Sequence, residues 1–326
     1  MITRRKFLGT SLIGGAAFSL LPAVPSLFTS ARSIWDLAAP FLQPDADETL
    51  ITILHTNDTH SQIDPLPDND IRNPAKGGVA RRASLVKRVR KENPNTLLVD
   101  AGDVFQGTPY FNFFKGEVEY KAMSLIGYDV GTLGNHDFDN GVDGLAAAMK
   151  FSNFDFVSSN YDVRGTPIES RVKPYVVRVL AGVRIGVFGL GISPTGLITP
   201  DNFKGVSYRD PVKAAQETVQ ALREKEQCRL VICASHLGYY PNPRGDEIGD
   251  TQVAAQVDGI DFIASGHTHT FMQAPVVTKQ PQGGNTIIFQ VGKSGIYVGR
   301  VDMKLRDGKV VAVAGRLLDL RDQSLG

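Results

Sequence analysis

Leu50-Ile51-Thr52-Ile53-Leu54-His55 is a short apolar, β-branched run that stops at Thr56-Asn57-Asp58-Thr59-His60. The first part reads as a strand, and the second is a strand end carrying metal-ligand side chains. From Leu50 onward such runs alternate with polar, helix-like segments, the signature of an α/β fold. Strands are expected at 50–55, 96–100, 130–133, 156–159, 184–190, 228–234, 262–265, 287–291, 297–303 and 310–314. Helices are expected at 79–92, 117–126, 142–150, 212–226 and 251–256. In the fourth helix Val212, Ala215, Val219 and Leu222 fall at three-to-four spacing, which gives one buried stripe. After Gln256 the strands become closely spaced, so the parallel part is expected to continue into hairpins.

Length and charge narrow the class. The 326 residues suffice for one large domain or two small ones. Lys plus Arg (35) nearly cancels Asp plus Glu (34), so nothing suggests a polyanion-binding surface or a nucleic-acid partner. Arg81, Arg82, Lys87, Arg88, Arg90 and Lys91 read as the solvated outer face of the first expected helix. The two cysteines, Cys228 and Cys233, lie five residues apart on one expected strand and therefore on opposite faces, which argues against a mutual disulfide. Both read as small buried apolar residues, and their spacing fits no structural zinc pattern.

Residues Thr3-Arg4-Arg5-Lys6-Phe7-Leu8 precede an apolar run, from 8 to 28, that is diluted by Gly14, Gly15, Ser19, Pro22 and Pro25. This resembles a twin-arginine export signal. A membrane anchor is the alternative at this length, and the prolines and glycines disfavour it. Thr29-Ser30-Ala31 offers a small-residue cleavage point. The expected division is a signal over 1–31, a linker over 32–48 and one domain over 49–326. That division implies a periplasmic or extracellular protein with no stable membrane span after cleavage.

Ligand-type side chains recur where apolar strands stop: Asp58 and His60, Asp103, Asn135 and His136, His236, then His267 and His269. Five of the six histidines are in this set. Loops at the carboxyl ends of parallel strands gather on one edge, so these clusters can meet in one crevice. An Asp-x-His or His-x-His pair in extended backbone points both side chains to one side, where they can chelate one ion. Asp103, freed to turn by Gly102, has two oxygens with which to bridge two cations. The Asn135 amide oxygen can ligate while the adjacent His136 points elsewhere. Taken singly, each pair is a capping Asp or a hydrogen-bonded strand-end His. Their recurrence at strand ends favours a site. His55 reads as a packed or supporting histidine rather than a ligand, and Phe111, Phe113 and Phe114 as packing rather than base-stacking residues.

Together, His55-Thr56-Asn57-Asp58-Thr59-His60, Asp100-Ala101-Gly102-Asp103 with Gln106-Gly107-Thr108-Pro109, Gly134-Asn135-His136-Asp137-Phe138-Asp139, Ser235-His236-Leu237-Gly238 and Gly266-His267-Thr268-His269 form a specific pattern. It resembles the calcineurin-like metallophosphoesterases, specifically the bacterial 5′-nucleotidase branch. The resemblance implies a sandwich of two mixed β-sheets flanked by helices. It also implies two divalent transition-metal ions (Zn, Mn, Fe or Co), a donor set without thiolate being consistent with these. Asp58, His60 and His269 would hold one ion, Asn135, His236 and His267 the other, and Asp103 would bridge them. A hydroxide between the ions would attack phosphorus in line, with no phospho-enzyme.

His136 would stabilise the transferring group or protonate the leaving oxygen, and Asp139 would either orient its ring or cap the following helix. Asp137, where many relatives have Glu, is given no role. Relatives of the nucleotidase type carry a second, C-terminal domain that stacks the base, and this chain stops before one could fit. A separate polypeptide supplying that domain is therefore an expected partner. The expected function is an exported phosphoesterase acting on nucleotides or related small phosphate monoesters. The alternatives are a hydrolase of cyclic nucleotide diesters or sulfur-oxyanion esters, and a metal-stabilised binding subunit.

Overall fold

A computed structural model describes residues 42–240 and 248–321. The expected export signal, its expected cleavage point and the start of the expected linker lie outside the described residues. Thr49–Thr56 forms β1, in which Ile51 and Ile53 face one side, Leu54 faces the other, and all three are fully buried. A strand that is apolar on both faces belongs at the centre of a layered fold.

Two sheets form the layers. The larger has seven strands in the order Lys309–Asp319 (β15), Tyr297–Arg306 (β14), β1, Thr96–Asp100 (β2), Val130–Gly131 (β3), Asp155–Val157 (β4) and Val172–Lys173 (β6). Strands from β1 to β6 run parallel, while β14 and β15 return antiparallel. The smaller sheet has six, in the order Val276–Lys279 (β12), Asn285–Phe289 (β13), Phe262–Ser265 (β11), Leu230–His236 (β10), Val183–Gly191 (β8) and Tyr175–Leu180 (β7). Its four inner strands are parallel and its two edges antiparallel. Tyr161–Asp162 (β5) and Ser207–Tyr208 (β9) make a separate two-stranded pair.

The sheets pack face to face through Ile51, Ile53, Leu97, Val99, Ile185, Val187, Leu230, Ile232, Phe262 and Phe289. Alternate residues of the same strands face outward onto helices, as strand geometry requires. Leu54 and Leu98 thus meet Val79–Glu92 (α1), Glu117–Ile126 (α3) and Gly141–Met149 (α4). Val231 and Cys233 meet Pro211–Gln220 (α5) and Asp250–Gln256 (α6). The result is the expected helix-sheet-sheet-helix sandwich.

Several local expectations need correction. Arg82 is not on a solvated face. It shares the three-to-four-spaced stripe of Leu85, Val86 and Val89, so it is buried, and its guanidinium donates to the Tyr128 hydroxyl at 3.1 Å. The helix expected over 212–226 is α5 followed by a π-turn at Ala221–Lys225. The strand expected from Cys228 begins at Leu230, so only Cys233 lies on β10; both cysteines are buried and free. Edge strands β7 and β12 and the short helix Pro109–Phe114 (α2) were not expected, and β15 runs well beyond 310–314.

Candidate active site

Every ligand-type cluster ends or follows a strand of the two sheets: β1, β2 and β3 in the larger, β10 and β11 in the smaller. The carboxyl ends of these strands lie at one edge of the sandwich, so the crevice is built between two sheets rather than along one. The backbone there is not extended, as the sequence had suggested. Asp58 (φ 48°), His60 (48°), Asp103 (55°), His267 (70°) and His269 (52°) are all left-handed. For residues other than glycine such conformations are costly and persist only where their surroundings fix them. Here the loops are stitched together. The amide of Asp58 donates to Gly102 O (2.9 Å), that of His60 to Asp103 O (3.1 Å) and that of Ser61 to Val104 O (2.7 Å).

Two glycines let the loops approach. Gly102 has φ +86°, and a methyl group on it would stand 2.6 Å from Gly134 N. A methyl group on Gly134 would overlap the Asp103 carboxylate.

The ligand atoms of Asp58, His60 and His269 lie within 4.8 Å of one another, and so do those of Asp103, His236 and His267. Asn135 joins the second group through Oδ1, 3.0 Å from His267 Nδ1. His236 Nε2 approaches Asp103 Oδ2 at 3.1 Å and Asp58 Oδ1 at 4.0 Å. His269 Nε2 lies 3.2 Å from Asp58 Oδ1 and 3.0 Å from His60 Nε2. All seven sequence-derived ligand candidates are therefore brought together.

The donor set fits cations. His236 Nδ1 lies 2.7 Å from Ala101 O, and His60 Nδ1 lies 3.2 Å from Phe105 O. A proton on each Nδ1, donated to the carbonyl, leaves both Nε2 lone pairs aimed into the site, which is how metal-bound imidazoles are oriented. His236 Nε2 is fully buried and has no hydrogen-bond partner despite its closeness to Asp103. Among the described residues, no lysine or arginine forms an ion pair with the buried Asp58 or Asp103. Bound cations would supply the missing charge.

In the metal-free chain the same carboxylates draw a proton onto His236, in the place a cation would take. Burial opposes the charged form of Asp103, but His236, and more weakly His60 and His136, hold it below the usual carboxylate range. Burial likewise opposes His236, yet Asp103 and Asp58 push it up to about 10. His267 is lowered to about 4 by burial and then by His236, and His60 is lowered mainly by burial, so both imidazoles are neutral.

His136 stands apart from the ligands. It opens a short 3₁₀ turn, His136–Phe138, which places Asp139 Oδ2 3.0 Å from His136 Nδ1. The Asp139 carboxylate thus meets the ring rather than capping α4, whose N-cap is Asn140. This hydrogen bond raises the His136 pKa, and the ring remains about one third exposed. Asp137, assigned nothing from sequence, accepts from the amides of Gly134 (2.8 Å), Asp103 (3.1 Å), Val104 (3.1 Å) and Phe105 (3.4 Å). It ties the loop after β2 to the loop after β3. The signal available for it was two turning, glycine-containing loops with amides that needed an acceptor. His55 is fully buried between Phe262 and Phe289, away from the ligands. Phe111 is buried, whereas Phe113 and Phe114 are exposed.

Comparison with known proteins agrees with this geometry. The calcineurin-like phosphoesterase family matches residues 51–271, and the chain belongs to that family. It is 32% identical over 297 residues to the 5′-nucleotidase of Rattus norvegicus, covering 84% of this chain and 50% of that protein. It is 31% identical to the trifunctional nucleotide phosphoesterase protein YfkN of Bacillus subtilis, covering 80% of this chain and 18% of that one. Among solved structures, the 5′-nucleotidase precursor of Thermus thermophilus superposes with a TM-score of 0.72 at 33% identity. That match covers 83% of this chain and 54% of the other. The chain thus spans about half the length, or less, of these relatives.

Proposed function

We propose that this chain is an exported phosphoesterase that hydrolyses nucleotides or related small phosphate monoesters with two divalent transition-metal ions. The observation that carries the reading is the closeness of two ligand groups, His236 Nε2 of one lying 4.0 Å from Asp58 Oδ1 of the other, with the His136 ring 5.5 Å from that of His60. Asp58, His60 and His269 would hold one ion, Asn135, His236 and His267 the other, and Asp103 would serve both. The set suits Zn, Mn, Fe or Co. When bound, the ions acidify water and neutralise phosphoryl charge.

The chain's own residues do the rest. His136, kept protonated to higher pH by Asp139, donates to the transferring phosphoryl group or to the leaving oxygen. Asp139 orients that ring, and Asp137 holds the two ligand-bearing loops in register. The names of the rat, Bacillus and Thermus relatives favour a nucleotide as substrate. Those relatives extend beyond the matched region, and a partner polypeptide that supplies a substrate-contacting domain is part of the proposal. The twin-arginine-type segment supports export, and among the described residues no helix is long and apolar enough to cross a membrane.

The test is phosphate release from nucleoside monophosphates, base-free phosphomonoesters, cyclic diesters and sulfur-oxyanion esters. Metal-dependent turnover highest on nucleoside monophosphates supports the reading. Preference for diesters or sulfur esters replaces the substrate class, and an inert metal-loaded chain replaces the enzyme with a binding subunit.

A further inference from the structure

The left-handed backbone at His267 and His269 persists only where its surroundings fix it. The residues between and beside them are held from outside. Gln290, which follows β13 and is fully buried, donates through Nε2 to Ser265 Oγ (2.7 Å) and to Gly266 O (2.5 Å). Its Oε1 accepts from Thr268 Oγ1 (3.0 Å) and from the amide of Thr270. One amide side chain therefore fixes residues 266, 268 and 270, and leaves 267 and 269 to face the crevice.

The same segment grips the other metal-ligand motif. The Val291 amide donates to Asn57 Oδ1 (3.1 Å), Asn57 Nδ2 donates to Gly292 O (2.7 Å) and to Asp58 Oδ2 (2.6 Å), and the Ser294 amide donates to Asp58 O (2.7 Å). Residues 290–294 carry no ligand candidate, yet they join the loop of Asp58 and His60 to that of His267 and His269.

The geometry points to Gln290 as a positioning residue that fixes the loop carrying His267 and His269 against the segment whose backbone grips the loop of Asp58 and His60. This rests on the reading of the crevice as a metal centre. Residues that orient ligands from behind typically change metal affinity by roughly 10–100-fold when removed.

A built-in control exists at the opposite end of the same strands. Gln280 donates to Ile260 O (2.8 Å), Asn285 O (3.1 Å) and Thr286 Oγ1 (3.0 Å) and accepts from the Gly259 amide (3.0 Å), all at the starts of β11 and β13 rather than at the ends that carry the ligand candidates. It makes a comparable set of bonds with no metal loop to hold. The experiment titrates cobalt(II) into the metal-stripped full chain and follows its visible d–d absorption, for wild type, Gln290→Met and Gln280→Met. Thermal unfolding of each stripped protein is recorded in parallel. Cobalt affinity is expected to fall about 10–100-fold in Gln290→Met, with a changed absorption envelope, and to stay at the wild-type value in Gln280→Met even where both lose thermal stability. Equal affinity in Gln290→Met and wild type, or equal losses in the two variants, overturns the inference and leaves the metal centre standing. Absence of cobalt binding by the wild type overturns both. Should Gln290→Met not fold, Gln290→Glu keeps the acceptor for Thr268 and Thr270 while losing the donor to Gly266. The same weakening is expected of it, and wild-type affinity there refutes the role.

Discussion

His55 makes the sandwich acid-sensitive in a way that can be isolated. Its ring lies between Phe262 and Phe289, with centroids 5.5 and 5.2 Å away, and Gly299 of β14 is packed so closely that a methyl group there would overlap the ring. Neither ring nitrogen has a hydrogen-bond partner. Burial lowers its pKa from 6.5 to about 3. The folded chain therefore resists a proton that the unfolded chain accepts, so stability is complete above the unfolded value. It falls as pH drops below about 6.5 and levels off only below the folded value. Linkage between these two values gives a loss of about 2 kcal/mol from pH 7 to pH 5 from this residue alone.

His55→Leu removes two unpartnered buried nitrogens at similar volume. It should be neutral or stabilising at pH 7 and should lack that part of the acid sensitivity. Urea unfolding of both metal-stripped proteins at pH 7, 6 and 5 gives the difference directly, because the other histidines are common to both. An equal pH slope in the two proteins, with several kcal/mol lost at pH 7 in the variant, would show that the ring has a partner and that the reasoning is wrong.

Three further outcomes concern the crevice. Asp137→Ala leaves four amides without their acceptor, so it should cost at least about 3 kcal/mol in urea unfolding and lower metal content; a change below about 1 kcal/mol contradicts the clamp. His136→Gln should keep metal content while lowering kcat by roughly 10²–10⁴-fold. Asp139→Asn, which removes the main cause of the raised His136 pKa, should move the alkaline limb of the kcat profile to lower pH. An unmoved limb assigns it to another group.

The parts of this protein most legible in its sequence are those with a local signature. The inner strands read correctly because both of their faces are buried, and β2 and β11 fall within their expected limits. The edge strands β7 and β12 are mostly half-buried or exposed, with Val176 alone buried, so they lack the continuous apolar run that marks the inner strands. The ligand candidates were visible because Asp, His and Asn stood where apolar runs ended. Their left-handed backbone was not visible, since short polar residues at such positions are compatible with either conformation. Least legible were the residues that hold others in place. Asp137, Asn57 and Gln290 are ordinary polar residues until the folded loops bring unpaired amides and carbonyls to them. Arg82 shows the opposite error, in which a charged residue was placed in solvent although its helix position put it with Leu85 and Val89.

The central claim is that the two ligand groups form one bimetallic centre through Asp103. The direct test is metal content measured on the purified chain and on Asp103→Ala, with phosphate release assayed on the same samples. The account predicts about two transition-metal ions per wild-type chain, and in the variant loss of bound metal together with turnover. Wild-type protein that hydrolyses phosphate esters without metal, or a variant that keeps both ions and full activity, would contradict it.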